Sequence, residues 1–222
     1  LNITALQNGV LNFREQFTIE SATPLTKFDN SKIKLTNKDS VAVPFTTKYD
    51  EYNQRLFFDF KKDFSQNYTF KMLPGAMTDY LEKTNDTLIY RLSTKELEDY
   101  GNLKVNLQNV RRFPVMVQLT NQAGDVVATE YTETNTKVEF NLVEPALYLL
   151  RAIYDNNKNK EWDSGNYLEK RQAEEVVYLS KEIDIRANWD VEQVFDLSIP
   201  YTPEPKKKVD KNKVEKKKKS GF

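Results

Sequence analysis

Apolar and polar residues alternate with a period of two along much of this chain. Leu56, Phe58 and Phe60 fall on one face of a run that puts Arg55 and Asp59 on the other. Tyr68, Phe70 and Met72 line one face of a second run, with Thr69 and Lys71 opposite. Such alternation predicts half-buried β-strands. In the first half, strands are expected over 10–13, 17–20, 33–36, 41–49, 55–60, 67–73 and 87–92. In the second half they are expected over 103–107, 115–119, 126–131, 137–141, 147–154, 175–179, 182–185 and 191–197. Gly124-Asp125 reads as a hairpin turn and Pro74-Gly75 as a turn closing the sixth run. A single helical turn is expected over 76–83, and 94–100 reads as a polar connection. The expected fold class is therefore all-β, with two tandem β-sandwiches over 1–93 and 94–199.

The remaining segment, 200–222, is Pro- and Lys-rich and nearly free of apolar residues before Phe222. It cannot bury enough surface to offset its ordering entropy, so disorder is expected there. It also splits the charge. The whole chain balances at 33 basic and 33 acidic residues, but 201–222 hold nine Lys against three acidic residues. The segment carries +6 and residues 1–200 carry −6. The basic segment lacks Arg and interleaved aromatics, which argues against base reading in nucleic acids; phosphate groups or anionic lipid heads are the partners its charge would suit. The plain alternative is a solvated terminus.

Cys and His are both absent. This excludes Cys- or His-based zinc sites, Cys nucleophiles and His-dependent triads. No disulfide can hold the fold. No run approaches the roughly 20 apolar residues of a membrane span. The chain opens at Leu1 with no signal-like segment, and a processed or truncated piece is expected. Acidic residues are plentiful but none are singled out as a pair for glycoside hydrolysis; Glu174 and Glu175 adjoin and would face opposite ways on a strand. Phosphate-loop and nucleophile-elbow motifs are missing.

The sharpest candidate site follows the β-like run 148–154. Asp155, Asn157, Asn159, Glu161 and Asp163 place oxygen donors at alternate positions, a pattern suited to a hard cation such as Ca²⁺. Against an EF-hand loop they take positions 1, 3, 5, 7 and 9. Lys160 stands where Gly is usual, and Asn166 where a bidentate Glu is usual. Two charged ligands, Asp155 and Asp163, imply weak affinity, on the order of 10⁻⁴–10⁻³ M. A polar loop in which Asn and Asp bond their own backbone explains the same residues. Trp162, Tyr167, Tyr178 and Trp189 suit either a glycan-stacking platform or packing anchors.

Two stretches carry family resemblances. Pro24 with Phe28-Asp29-Asn30-Ser31-Lys32-Ile33-Lys34-Leu35, and Tyr68-Thr69-Phe70-Lys71-Met72-Leu73-Pro74-Gly75-Ala76-Met77-Thr78-Asp79, resemble the opening and closing segments of the bacterial SbsA-type Ig-like domain. Tyr80-Leu81-Glu82 replaces the Ala-Gly-Asn usual after the final Asp. Val115–Leu119, Gly124-Asp125-Val126-Val127 and Glu144-Pro145-Ala146-Leu147-Tyr148-Leu149-Leu150 resemble the transthyretin-like sandwich of carboxypeptidase-regulatory repeats. The Asp155 loop, with Trp162–Leu168 and Arg186-Ala187-Asn188-Trp189-Asp190, is similar to the C-terminal end of Ig-like surface lipoproteins of Bacteroidota-type bacteria.

The resemblance implies an exported, outer-membrane-associated protein at the cell surface or in the periplasm, without catalytic activity. It would act as a structural or docking module, partnered by other surface proteins through its sandwich edges or faces. An acylated Cys would lie in a segment outside this sequence. The alternative is an accessory module that binds glycan or peptide within a larger exported protein. Asp39-Ser40-Val41 and Asp86-Thr87-Leu88 look like the O-glycosylation acceptor of the same bacterial group.

Overall fold

A computed structural model describes residues 1–200; the expected disorder of the Lys-rich segment lies outside the described residues. The protein is all-β. The first 93 residues give β1 (Ile3–Ala5), β2 (Gly9–Val10), β3 (Phe17–Ser21), β4 (Leu25–Phe28), β5 (Ile33–Thr36), β6 (Phe45–Asp50), β7 (Arg55–Phe60), β8 (Asn67–Met72), β9 (Met77–Asp79) and β10 (Leu88–Ser93). The second half gives β11 (Gly101–Gln108), β12 (Val115–Thr120), β13 (Val126–Thr132), β14 (Lys137–Val143), β15 (Ala146–Tyr154), β16 (Val176–Tyr178), β17 (Ile183–Ile185) and β18 (Asp190–Asp196).

By spatial contact the chain divides into two compact units. One holds residues 1–105, 139–146 and 184–193; the other holds 106–138, 147–183 and the residues from Val194 onward.

The first sandwich pairs a sheet ordered β1-β3-β7-β6 with one ordered β2-β10-β8-β5, and a two-stranded ribbon, β4-β9, ladders with neither but contributes Leu25 and Met77 to the same core. Alternation places Leu56 and Phe58 of β7, and Tyr68, Phe70 and Met72 of β8, in a common core with Phe17, Ile19 and Leu35. Phe70 is central to the aromatic packing. Its ring lies 4.6 Å from Phe17, 5.1 Å from Phe58 and 5.6 Å from Phe60. The Phe17 contact is stacked and the other two edge-on; both geometries suit the ring quadrupoles and add to the area the rings bury. The hydroxyl of buried Tyr68 is not stranded, because it accepts the Asp63 N–H at 2.8 Å.

The second half contributes a sheet ordered β14-β11-β18, whose strands are divided between the two units, and a larger sheet, β13-β12-β15-β16, with β17 also paired to β15. All six residues of β12 are buried, as expected for a strand flanked on both sides. The hairpin expected at Gly124 joins β12 to β13; Gly124 takes φ +94°, a conformation that suits a residue without Cβ. Lys62 illustrates how loops are pinned in the first unit. Its ammonium donates to the carbonyls of Asn12 at 3.0 Å, Phe13 at 2.7 Å and Glu15.

One expectation fails. Residues 76–83 do not form a helical turn; Met77–Asp79 is β9, antiparallel to β4. The reason is the chemistry of two side chains. Asp79 is buried and its Oδ1 accepts the N–H groups of Leu81 at 2.9 Å and Lys83 at 2.8 Å, while Oδ2 accepts the Thr23 hydroxyl at 2.9 Å. Buried Asn85 accepts the Met77 N–H at 2.8 Å and donates to the carbonyls of Leu73 at 3.0 Å and Asp86 at 2.7 Å. Side chains that bond nearby backbone in this way compete directly with helix formation.

Burial alone would push the Asp79 carboxyl up, but the Lys83 N–H, the Thr23 hydroxyl and the Leu81 N–H outweigh it and hold the group below its ordinary 3.8. A lowered folded-state value gives stability that is fully present above 3.8 and lost as pH falls through the folded value. Urea midpoints of the unfolding of this region, measured between pH 7 and pH 3, are expected to fall most steeply below pH 4. Asp79→Asn is expected to be less stable at pH 7 and to show a flatter acid limb.

Candidate functional site

The Asp155 loop leaves the buried end of β15 and returns through residues 163–174 to β16. Asp155 itself is buried. Its Oδ1 accepts the Lys158 N–H at 2.7 Å and its Oδ2 accepts the Lys160 N–H at 2.9 Å. Those two lysines adopt left-handed backbone, φ 64° each, and expose their side chains. The turn that Gly would favour is thus held by the Asp155 carboxylate, which collects the N–H groups the bend turns inward.

The structure links three of the five candidate ligands directly through their side chains. The side-chain amides of Asn157 and Asn159 both donate to Oδ2 of Asp163, at 2.7 and 2.8 Å. Their oxygens are engaged by the backbone: Asn157 Oδ1 accepts the Asn159 N–H at 3.2 Å, and Asn159 Oδ1 accepts the Glu161 N–H at 2.8 Å. Glu161 is exposed and enters the network through its main chain. The donor set has the chemistry of a hard-cation site. As arranged here, however, two amide N–H groups face Asp163 where a cation would sit, so both amides would have to turn for an ion to enter. Among the described residues no group of three or more Asp, Glu, His or Cys side chains is placed to hold a metal ion.

Glu174 is the residue that sequence reasoning missed. It is buried, and it bridges the two arms of the loop. Its Oε1 accepts the Asn156 N–H at 2.6 Å and its Oε2 the Asp163 N–H at 3.2 Å. Its main chain exchanges further bonds, donating to Asp163 O at 3.0 Å and accepting from Trp162 Nε1 at 3.2 Å. A carboxylate in a run of charged residues reads as solvated surface; only the return path of the loop buries this one. Neighbouring Glu175 pairs instead with Arg111 and with Arg112 at 3.5 Å, and both guanidinium groups lie over the Tyr154 ring. Burial pushes the Tyr131 phenol above its ordinary value, and the charges of Asp155 and Glu133 with a hydrogen bond to Asp155 act in the same direction.

Beyond the loop, residues 166–171 form a tight hairpin tip. Asn166 and Arg171 exchange both backbone hydrogen bonds at 2.9 Å, and Asn166 Oδ1 accepts the N–H groups of Leu168 at 3.0 Å and Glu169 at 3.3 Å. The arms run close together at Gly165, where a Cβ would stand 3.2 Å from Arg171 O and Ala173 N. The tip presents Tyr167 at 95% exposure and Leu168 at 91%. The other aromatics of the candidate platform are partly exposed: Trp162 at 50%, Tyr178 at 42% and Trp189 at 58%, the last beneath the Arg186 guanidinium at 5.3 Å. Ser40 and Thr87, the two glycosylation candidates, are exposed.

No family model matches the sequence, and no curated protein matches it. Among solved structures, the chain is similar to native α2-macroglobulin from Escherichia coli spanning domains MG0-NIE-MG1. Identity there is 12% and the TM-score 0.36, over 80% of this chain and 71% of that one. It is also similar to the N-terminal part of the bacterial S-layer protein SbsC, at 11% identity and TM-score 0.39, over 88% of this chain and 45% of that one. A third is BcpA, the major pilin subunit of Bacillus cereus, at 10% identity and TM-score 0.31, over 88% and 69%. Likeness of this degree carries no argument about activity.

Glu174→Gln retains one acceptor oxygen and sets an NH₂ against a backbone N–H, leaving a buried donor unpaired. The expected cost is about 1–3 kcal/mol, read as a lowered denaturation midpoint by circular dichroism.

Proposed function

We propose that this protein is a non-enzymatic structural or docking module of an exported, outer-membrane-associated assembly. The observation that carries this reading is the open edge of the larger sheet in the second sandwich. β13 is its terminal strand; β13 pairs with β12 on one side, and its exposed residues include Val126, Val127 and Thr129. An exposed strand of this kind offers a row of backbone donors and acceptors to a strand from another chain, with side chains on alternate faces selecting the partner. Among the described residues no helix is long and apolar enough to cross a membrane. The lipoprotein and Bacteroidota-type assignments rest on the sequence resemblance alone.

A photo-crosslinking amino acid at Thr129 is expected to yield a discrete adduct with an envelope protein in the native cell. The same amino acid at Asp59, on the interior strand β7, is expected to yield none. Equal yields at both positions, or a hydrolytic activity abolished by substituting one carboxylate, would overturn the docking reading. An accessory glycan- or peptide-binding module is the second reading, favoured by the exposure of Trp162, Trp189 and Tyr167.

Calcium belongs to this proposal as a stiffening ion for the Asp155 loop, supported by the oxygen-bearing side chains at alternate positions 155, 157, 159 and 163; its entry requires the Asn157 and Asn159 amides to turn away from Asp163. At several millimolar Ca²⁺ the melting temperature is expected to rise by about 2–8 °C. The Asp155→Ala/Asp163→Ala variant is expected to show no rise. An unchanged melting temperature in the parent protein would leave the hydrogen-bonded loop as the whole account.

A further inference from the structure

We infer that the outer face of the sheet β2-β10-β8-β5 in the first unit binds an anionic polysaccharide, a sugar chain bearing sulfate or carboxylate groups. Ile33 and Leu35 on β5, Tyr68, Phe70 and Met72 on β8, and Leu92 on β10 are buried in the core. The residues between them therefore point outward. In one outward row Lys34 stands directly opposite Lys71, and Lys71 opposite Ile89; in the next, Thr36 stands opposite Thr69, and Thr69 opposite Arg91. Lys34, Lys71 and Arg91 are all exposed. Direct cross-strand neighbours such as Lys34 and Lys71 have Cβ atoms about 5 Å apart, and diagonal ones such as Lys71 and Arg91 lie about 7–8 Å apart.

Like charges directly opposite on a sheet repel and lower stability. Nothing within this sheet offsets them. Its strands Gly9–Val10, Ile33–Thr36, Asn67–Met72 and Leu88–Ser93 contain no Asp or Glu. Among the described residues Lys34, Lys71 and Arg91 form no ion pair, whereas Lys27, Lys32, Arg55 and Lys95 of the same unit each meet a carboxylate. Residues 1–200 carry −6, so this is a cationic face on an anionic body. A ligand with fixed negative groups is drawn to it against the net charge of the rest.

The other side chains on the face select the kind of anion. Its exposed apolar residues are Ile89 and Val10, and the rings of Tyr68, Phe70 and Tyr90 belong to the core. A protein partner seeks aromatic or aliphatic anchors at the centre of its contact. A bilayer takes an amphipathic apolar surface into its interface, and single-stranded nucleic acid needs rings to stack on. Beside the cations stand instead Thr36, Thr69 and Asn67. Their hydroxyl and amide groups both donate and accept hydrogen bonds, as the hydroxyls of a sugar chain require. Strands β8 and β10 are laddered on both sides, so the backbone under Lys71 and Arg91 is fixed before a ligand arrives. This inference stands apart from the docking reading, which rests on β13 of the other unit; either can fail without the other.

The test titrates the full chain with dextran sulfate, polygalacturonate, unmodified dextran and poly-L-glutamate by isothermal calorimetry at low and high salt. Dextran sulfate or polygalacturonate is expected to bind, more weakly at high salt, and the tighter of the two identifies the anionic group. Unmodified dextran is expected not to bind. Lys34→Gln/Lys71→Gln/Arg91→Gln is expected to bind about tenfold more weakly, since it removes three contacts to fixed negative groups. Lys48→Gln/Lys61→Gln/Lys83→Gln removes the same charge from exposed positions elsewhere in the unit and is expected to leave affinity nearly unchanged. Both variants keep the nine Lys after Pro200, so any general attraction of those residues is common to them. Lys34→Glu separates the site from the fold. It sets opposite charges across the β5–β8 ladder, so its melting temperature is expected to equal or exceed the parent's while binding falls. No binding of either sugar polyanion at low salt overturns the proposal. Equal weakening in the two triple variants also overturns it, since net charge then accounts for the binding. Poly-L-glutamate bound as tightly as the sugars, and lost in the Lys34→Gln/Lys71→Gln/Arg91→Gln variant, would give the face to acidic protein segments and overturn the polysaccharide assignment.

Discussion

A buried main-chain N–H must find an acceptor, and in this chain that requirement shapes the segment after β9 and the loop after β15. Strand ladders satisfy their own amides but not those of the bends that join them. With no Cys to cross-link the loops, acidic and amide side chains turn inward to take up the orphaned donors. Asp79 and Asn85 do so for the segment closing the first sandwich, and Asp155 and Glu174 for the loop leaving β15. In each case a polar side chain is buried because the backbone around it needs an acceptor, and the cost of desolvating it is offset by two or more hydrogen bonds.

This explains which parts of the structure were legible in the sequence. Strands such as β7 and β8 were readable because their burial follows a period of two, and Phe58, Phe70 and Leu56 lie inside as that period requires. Three short pieces escaped: β1, β4 and β9, of three or four residues each. The helical turn expected over 76–83 failed because local pattern cannot show that Asp79 will fold back on Leu81 and Lys83. At the Asp155 loop the oxygen-rich spacing was legible, and so were both of its readings, since an Asx-bonded loop and a cation loop need the same residues. Glu174 was not legible. Its role arises from a return path that brings it back to Asn156 and Asp163 after the chain has travelled out to Tyr167.

The surface separates into parts with different demands. Sheet edges such as β13 leave backbone groups on one side that a strand from a partner could pair with under the proposed docking. The hairpin tip exposes side chains instead, and its turn is closed by hydrogen bonds between Asn166 and Arg171 and from Leu168 and Glu169 to Asn166.

The hydrogen bonds that shape the hairpin use the side chain of Asn166 and the main chain of residues 166–171, while the side chains of Tyr167 and Leu168 take no part in them. The frame therefore does not depend on which side chains stand at those two positions. Mutation can rewrite the tip without disturbing the sandwich, so this short stretch is where diversification would be fastest and least costly. Related chains could keep the same frame while exchanging one contact chemistry for another.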